Sequence, residues 1–252
     1  MTVDLCALVS YLDDYLRIGD VNDSPQALNG LQVANNGAVG RMAAAVDVCR
    51  ATIERAAQQH ADFLLVHHGL FWGGLQPLTG PHGQRVRSLI RHDIALYAAH
   101  LPLDVHPEVG NNVVLARMLD LGDQAWFGEY EGQPIGIAGT ARMTRDELVK
   151  RLGETLGIEP HVIALGPEHV RRIGVVTGAG GKFVARAADA GIDTYVTGEG
   201  PHHSYFDAEE LGINMILAGH YATETVGVKA LAEHLAQRFG LSWEFIDHPT
   251  GL

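Results

Sequence analysis

His67 and His68 stand side by side after the apolar run Asp62-Phe63-Leu64-Leu65-Val66 and before Gly69. Such a run predicts a buried strand, and two imidazoles delivered at its end, with a glycine to turn on, suit a metal site. Three more candidate ligands stand in the same kind of place. Asp104 follows Ile94-Ala95-Leu96-Tyr97-Ala98-Ala99, while His220 and Glu224 lie four apart after Ile213-Asn214-Met215-Ile216-Leu217. In α/β proteins, chemistry gathers beyond the carboxyl ends of strands. A mixed imidazole and carboxylate set suits zinc, iron or manganese better than calcium or a tetrathiolate zinc.

Neighbouring side chains of a strand point to opposite faces. His67 and His68 are therefore not expected to share one ion while both remain in the strand. Either the chain turns at His68, helped by Gly69, or the two serve different ions, with Asp104 a candidate bridge. A helix beginning near His220, after Ala218-Gly219, would put His220 and Glu224 on one face. Five ligands exceed the four of a tetrahedral zinc, and the count favours two divalent cations. The competing reading is chance, because the chain carries 14 histidines and some must fall near strand ends.

His100 and Glu199 are the candidate catalytic residues. His100 precedes Asp104 by four positions across Pro102, near the site but on no shared helical face; it would orient a carboxylate or shuttle a proton. Glu199 would serve as a base or an acceptor, and His203 stands nearby in sequence. Gly178-Ala179-Gly180-Gly181-Lys182 lacks P-loop spacing and reads as a tight strand-to-helix turn. Phe71 and Trp72 read as wall beside the site. His60, His82, His92, His106, His161, His169, His234 and His248 have no partner pattern and are assigned to surface or turns.

The elements that must position these groups alternate. Residues 4–17 have helical periodicity, and strands are expected near 42–48, 62–66 and 94–98, with helices near 50–60, 83–93 and 109–119. A strand near 134–141 leads to a helix opened by the capping box Thr144-Arg145-Asp146-Glu147. Strands at 171–177, 193–197, 213–217 and 242–246 alternate with helices near 182–190, 201–210 and 221–238. This pattern predicts an α/β fold with mainly parallel sheets flanked by helices. The segments 122–124 and 131–134 mark the best boundary, giving one lobe over 1–125 plus 191–252 and another over 126–190.

The 252 residues, 46% hydrophobic and 19% charged, describe a folded protein of ordinary composition. A net charge of −12 argues against a nucleic-acid polymer or an anionic membrane as main partner. Bound divalent cations would still let it accept an anionic small molecule. Cys6 and Cys49 are too few for a disulfide framework and are expected to be reduced and mostly buried. With no signal-like start and no run approaching the roughly 20 apolar residues of a membrane span, a cytoplasmic location is expected.

Val66-His67-His68-Gly69-Leu70-Phe71-Trp72, His100-Leu101-Pro102-Leu103-Asp104, Thr197-Gly198-Glu199 and Ala218-Gly219-His220-Tyr221-Ala222-Thr223-Glu224 together resemble the Nif3-like family, also called GTP cyclohydrolase 1 type 2 homologues. Asn29-Gly30-Leu31-Gln32-Val33 extends the resemblance in family order over nearly the whole chain. At this length the chain is similar to the members without an inserted domain. The resemblance implies two interlinked lobes and a dinuclear metal centre on His67, His68, Asp104, His220 and Glu224. It also implies a toroidal homohexamer, a trimer of dimers. Many members carry a lysine after the Thr-Gly-acid motif, where this chain has Gly200-Pro201-His202-His203. The expected function is metal-dependent hydrolysis of a nucleotide or other phosphorylated small molecule, with GTP cyclohydrolase-type chemistry implied by the family's label alone. The alternative is a non-enzymatic assembly that binds, stores or senses metal.

Overall fold

The structure, a computed structural model, describes residues 2–251. They divide into two compact units. The first runs to Val109 and takes in Gly227–His248; the second comprises Gly110–Val226 and continues from Pro249.

In the first unit β1 (Val3–Asp4), α1 (Leu5–Tyr15), β2 (Gly30–Val33), β3 (Ala38–Val39) and β4 (Arg41–Asp47) are followed by α2 (Arg50–Gln58), β5 (Phe63–His68), α3 (Gly80–Arg91), β6 (Ala95–Ala98) and the single turn α4 (Leu101–Asp104). The second unit holds α5 (Asn111–Met118), β7 (Gly122–Tyr130), β8 (Gln133–Thr144), α6 (Arg145–Leu156), β9 (His161–Ile163) and β10 (His169–Val176). A 3-10 turn then leads into α7 (Val184–Asp189), β11 (Thr194–Thr197), α8 (Ser204–Leu211) and β12 (Asn214–Leu217). The chain returns to the first unit within α9 (His220–Phe239) and ends on β13 (Ser242–Phe245).

The first sheet has the strand order β13-β4-β5-β6-β2, parallel except for β2. Pleating sorts its apolar runs onto two faces. Met42, Ala44, Phe63, Leu65, Ala95 and Tyr97 pack with Leu8 and Leu12 of α1 and Leu231 and Leu235 of α9. Ala43, Ala45, Leu64, Val66, Leu96 and Ala98 pack with Ile53 of α2 and Val86 and Leu89 of α3. A sheet covered on both faces needs continuous apolar strands, which is why these runs do not alternate with polar residues. Cys6 falls off the Leu5, Leu8, Leu12 stripe of α1 and is exposed, and Cys49 is half-buried, contrary to the expected burial.

The second sheet runs β7-β8-β10-β11-β12-β9 and is mixed: β10, β11 and β12 are parallel, while β7, β8 and β9 pair antiparallel. Its core joins Leu115 of α5 and Leu148 and Leu152 of α6 to Ile137, Ile173, Val175, Val196 and Ile216. The expected boundaries differ from these units. Residues 122–124 lie inside β7, Glu131-Gly132 makes the β7–β8 hairpin turn, and β11 and β12 belong with β10 because their ladders join them. The edge strands β7 and β9 were not expected: β7 is polar and mostly exposed, so it shows no apolar period.

Candidate functional site

In the first unit the candidate groups collect at the carboxyl ends of parallel neighbours. β4 ends on Asp47, which is in register with His68, the last residue of β5. After β6 the chain passes through Ala99 to His100, the residue before α4, and one turn later reaches Asp104. His67 and His68 both remain in β5, yet their rings converge, with centroids 4.7 Å apart. Their ligand nitrogens and that of His100 all lie within 4.8 Å of one another. The expected divergence of His67 and His68 does not occur. At the last residues of a strand an imidazole reaches beyond the sheet edge, so side-chain torsions bring together what the pleat separates. His100 and Asp104 also share a helical turn, contrary to expectation: the Asp104 N–H bonds to the His100 carbonyl at 3.2 Å.

Each ring is fixed through Nδ1. His67 Nδ1 is 2.8 Å from the Ala99 carbonyl, His68 Nδ1 is 2.8 Å from Asp47 Oδ1, and His100 Nδ1 is 2.8 Å from Asp23 Oδ1. Carbonyl and carboxylate oxygens only accept, so Nδ1 donates and each neutral ring presents its lone pair at Nε2. Backing of this kind orients histidine ligands on metals. His67 Nε2 lies 3.7 Å from Oδ1 of the buried Asp104.

Asp23 also accepts from Asn29 Nδ2 and from the backbone N–H groups of Ser24 and Leu101. Burial alone would raise its pKa, but the bonds from His100, Asn29 and Ser24 outweigh that and hold the carboxyl below its ordinary value. Asn29 Oδ1 accepts from the His100 N–H, and Gln32 Oε1 from the Leu70 N–H, so the Asn29–Val33 segment braces both ligand-bearing loops. Trp72 packs edge-on to His100, with centroids 4.9 Å apart, and its Nε1–H donates to the Gly69 carbonyl. It is wall, as expected.

The second unit repeats the design at the ends of β11 and β12. His220 opens α9, and the four-residue spacing places its Nε2 3.2 Å from Oε2 of the buried Glu224. Glu199, just past β11, accepts from His220 Nδ1 at 2.8 Å, which makes it an acceptor that orients the ring. The Glu224 hydrogen bond outweighs desolvation and, with its charge and that of Glu199, raises the His220 pKa to about 9. A cation at Nε2 must therefore displace the proton that Nε2 shares with Glu224. Gly178, at φ +63°, forms the tight turn, and a Cβ there would collide with Glu224 Oε1. His203 is exposed just before α8.

These donors fit a divalent cation. At His67 the Nε2 lone pair faces an Asp104 oxygen, a repulsive pairing that a cation between them relieves. At His220 a cation would take the place of the Nε2 proton. With metal–ligand bonds of about 2.0–2.2 Å, two ligands of one tetrahedral ion lie roughly 3.3–3.6 Å apart. The 3.7 Å and 3.2 Å separations, His67 to Asp104 and His220 to Glu224, lie just above and just below that range.

The sequence pattern of the Duf34/NIF3 (NGG1p interacting factor 3) family matches residues 3–250. The chain belongs to this family. A relative from Deinococcus radiodurans, called "GTP cyclohydrolase 1 type 2 homolog", is 47% identical over 97% of this chain and 93% of its own length. One from Pyrococcus abyssi with the same name is 44% identical over 97% and 98%. A crystal structure of a Thermus thermophilus protein superposes with a TM-score of 0.91 at 45% identity, covering 99% of this chain and all of the other. In this NIF3 protein no helix among the described residues is long and apolar enough to cross a membrane.

Sequence reasoning gave Asp23 and Asp47 no role at the site, and read Asn29 and Gln32 only as part of a family motif and Gly178 only as a tight turn. Asp47 carried a signal, since it ends its apolar run as His68 ends the next. Asp23 carried none, because its partner His100 is 77 positions away. Two histidines assigned to surface or turns are buried instead: His82 on α3 packs edge-on to Phe71, and His106 donates from Nε2 to the Tyr15 carbonyl.

Proposed function

We propose that the chain is a metal-dependent hydrolase of a nucleotide or other phosphorylated small molecule, with His67, His68, Asp104, His220 and Glu224 as ligands for two divalent cations. The supporting observation is the common commitment of Nδ1 on His67, His68 and His220, which aims each Nε2 outward as a candidate donor, His220 after release of its Nε2 proton on metal binding. Divalent cations held there would supply Lewis acidity toward an anionic substrate and its attacking water. Asp47 and Glu199 keep His68 and His220 oriented, and Asp23 keeps His100 placed to move a proton at its Nε2. Zinc, iron and manganese all suit this donor set. The name carried by the relatives makes GTP the first substrate to assay.

The test is metal analysis of the purified protein with a nucleotide and phosphoester panel, beside the His67→Ala, Glu224→Ala double variant. Two equivalents of transition metal and turnover, both lost in the variant, are expected. Metal without turnover on an intact fold replaces this reading with a binding, storage or regulatory role. Absence of stoichiometric metal overturns both. A homohexamer is the proposed assembly, and sedimentation equilibrium at about six times the chain mass checks it.

A further inference from the structure

The first unit carries a second polar cleft. Helices α2 and α3 lie on one face of the first sheet, and between them opens a cavity of about 290 Å³ lined by Arg50, Glu54, Gln84, Arg85, Arg87 and Arg91. Glu54 is taken by Arg50, at 2.7 Å. Arg85, Arg87 and Arg91 form no ion pair and no side-chain hydrogen bond among the described residues. The Arg85 Nε is also buried without a hydrogen-bond partner. Elsewhere Arg17, Arg41 and Arg151 each meet a carboxylate. Arg142, Arg171 and Arg186 meet none among the described residues, but Arg142 and Arg171 line a cavity that they share with Asp120, Asp123 and Glu147.

Arg87 and Arg91, four apart on α3, are like-charged neighbours, Arg85 lines the same cleft, and an anion held there would offset the charge of all three. Guanidinium forks match the oxygens of phosphate in pairs, which a lysine cluster does not. Within a walled cleft rather than along an extended stripe, they suit a compact ligand rather than a nucleic-acid polymer. We propose that this cleft is a binding site for a small anion with two linked phosphate groups, independent of the metal ligands.

Calorimetry on the full chain with inorganic pyrophosphate at low ionic strength tests this. Binding is expected to weaken about tenfold or more in Arg85→Gln, Arg91→Gln. It should recover only in part in Arg85→Lys, Arg91→Lys, and be retained in Glu224→Ala, which removes a proposed metal ligand. Unchanged affinity in the glutamine pair overturns the proposal. So does complete loss in Glu224→Ala, which would put the probe on the metal, or citrate binding as tightly as pyrophosphate, which would make the cleft a general anion patch. If the glutamine pair lowers the melting temperature, the single Arg87→Gln on the exposed side of the helix gives the same reading.

Discussion

The acceptor behind each imidazole separates the ligands. His67 rests on a backbone carbonyl, which no substitution removes, whereas His68 and His220 depend on the side chains of Asp47 and Glu199. Asp47→Ala is therefore expected to weaken metal affinity by about 10–100-fold, with partial rescue by Asn, which keeps an oxygen acceptor. Competition with a chelator reads the affinity. Because Asp47 is partly exposed, the melting temperature of the chelated protein should hardly move. Gly178→Ala combines a left-handed backbone with a side chain driven into Glu224. A loss of about 1–2 kcal/mol in urea unfolding is expected, together with faster metal loss. Unchanged metal retention in a folded Gly178→Ala protein would remove Glu224 from the ligand set.

Elements succeeded or failed as predictions according to how their sequence meets the core. β4, β5 and β6 are buried on both faces, so their apolar runs stand out, and α1 shows its stripe of leucines. The α6 capping box is present as expected: Thr144 Oγ1 accepts from the Glu147 N–H, and Glu147 accepts from the Thr144 N–H. Thr144→Ala should cost about 1 kcal/mol, seen as a lower urea midpoint with unchanged slope. An unchanged midpoint would mean the cap holds nothing that water does not replace. The convergence of His67 and His68 was not legible, because the pleat rule governs Cβ directions and says little about where a ring ends at the last residues of a strand.

Over the whole molecule, acid should unfold the chain partly through His106. Burial, the largest influence, lowers its pKa below the ordinary 6.5, and its Nδ1 accepts from the N–H groups of Glu108 and Val109. The unfolded chain then binds the proton more readily than the folded one. His106 thus contributes its full stability above pH about 6.5, and that contribution is lost as pH falls from there toward the lowered folded value. Urea midpoints measured with chelator at pH 7.5 and pH 5 should show the fall, and His106→Gln should flatten it. An equal pH dependence in the variant would locate the acid sensitivity elsewhere.

Periodicity, capping and strand-end glycines are local properties. They were enough to establish an α/β chain, the order of most elements, and the motifs that mark a NIF3 protein with candidate histidine and carboxylate ligands. Long-range pairing had to be folded to be seen. The ladders that put β11 and β12 beside β10, and the Asp23 and Asp47 carboxylates behind His100 and His68, join residues whose separation in the chain carries no periodic signal. Three-dimensional packing chose those partners, because a buried donor or charge is satisfied by whatever the fold brings within about 3 Å, wherever it lies in sequence.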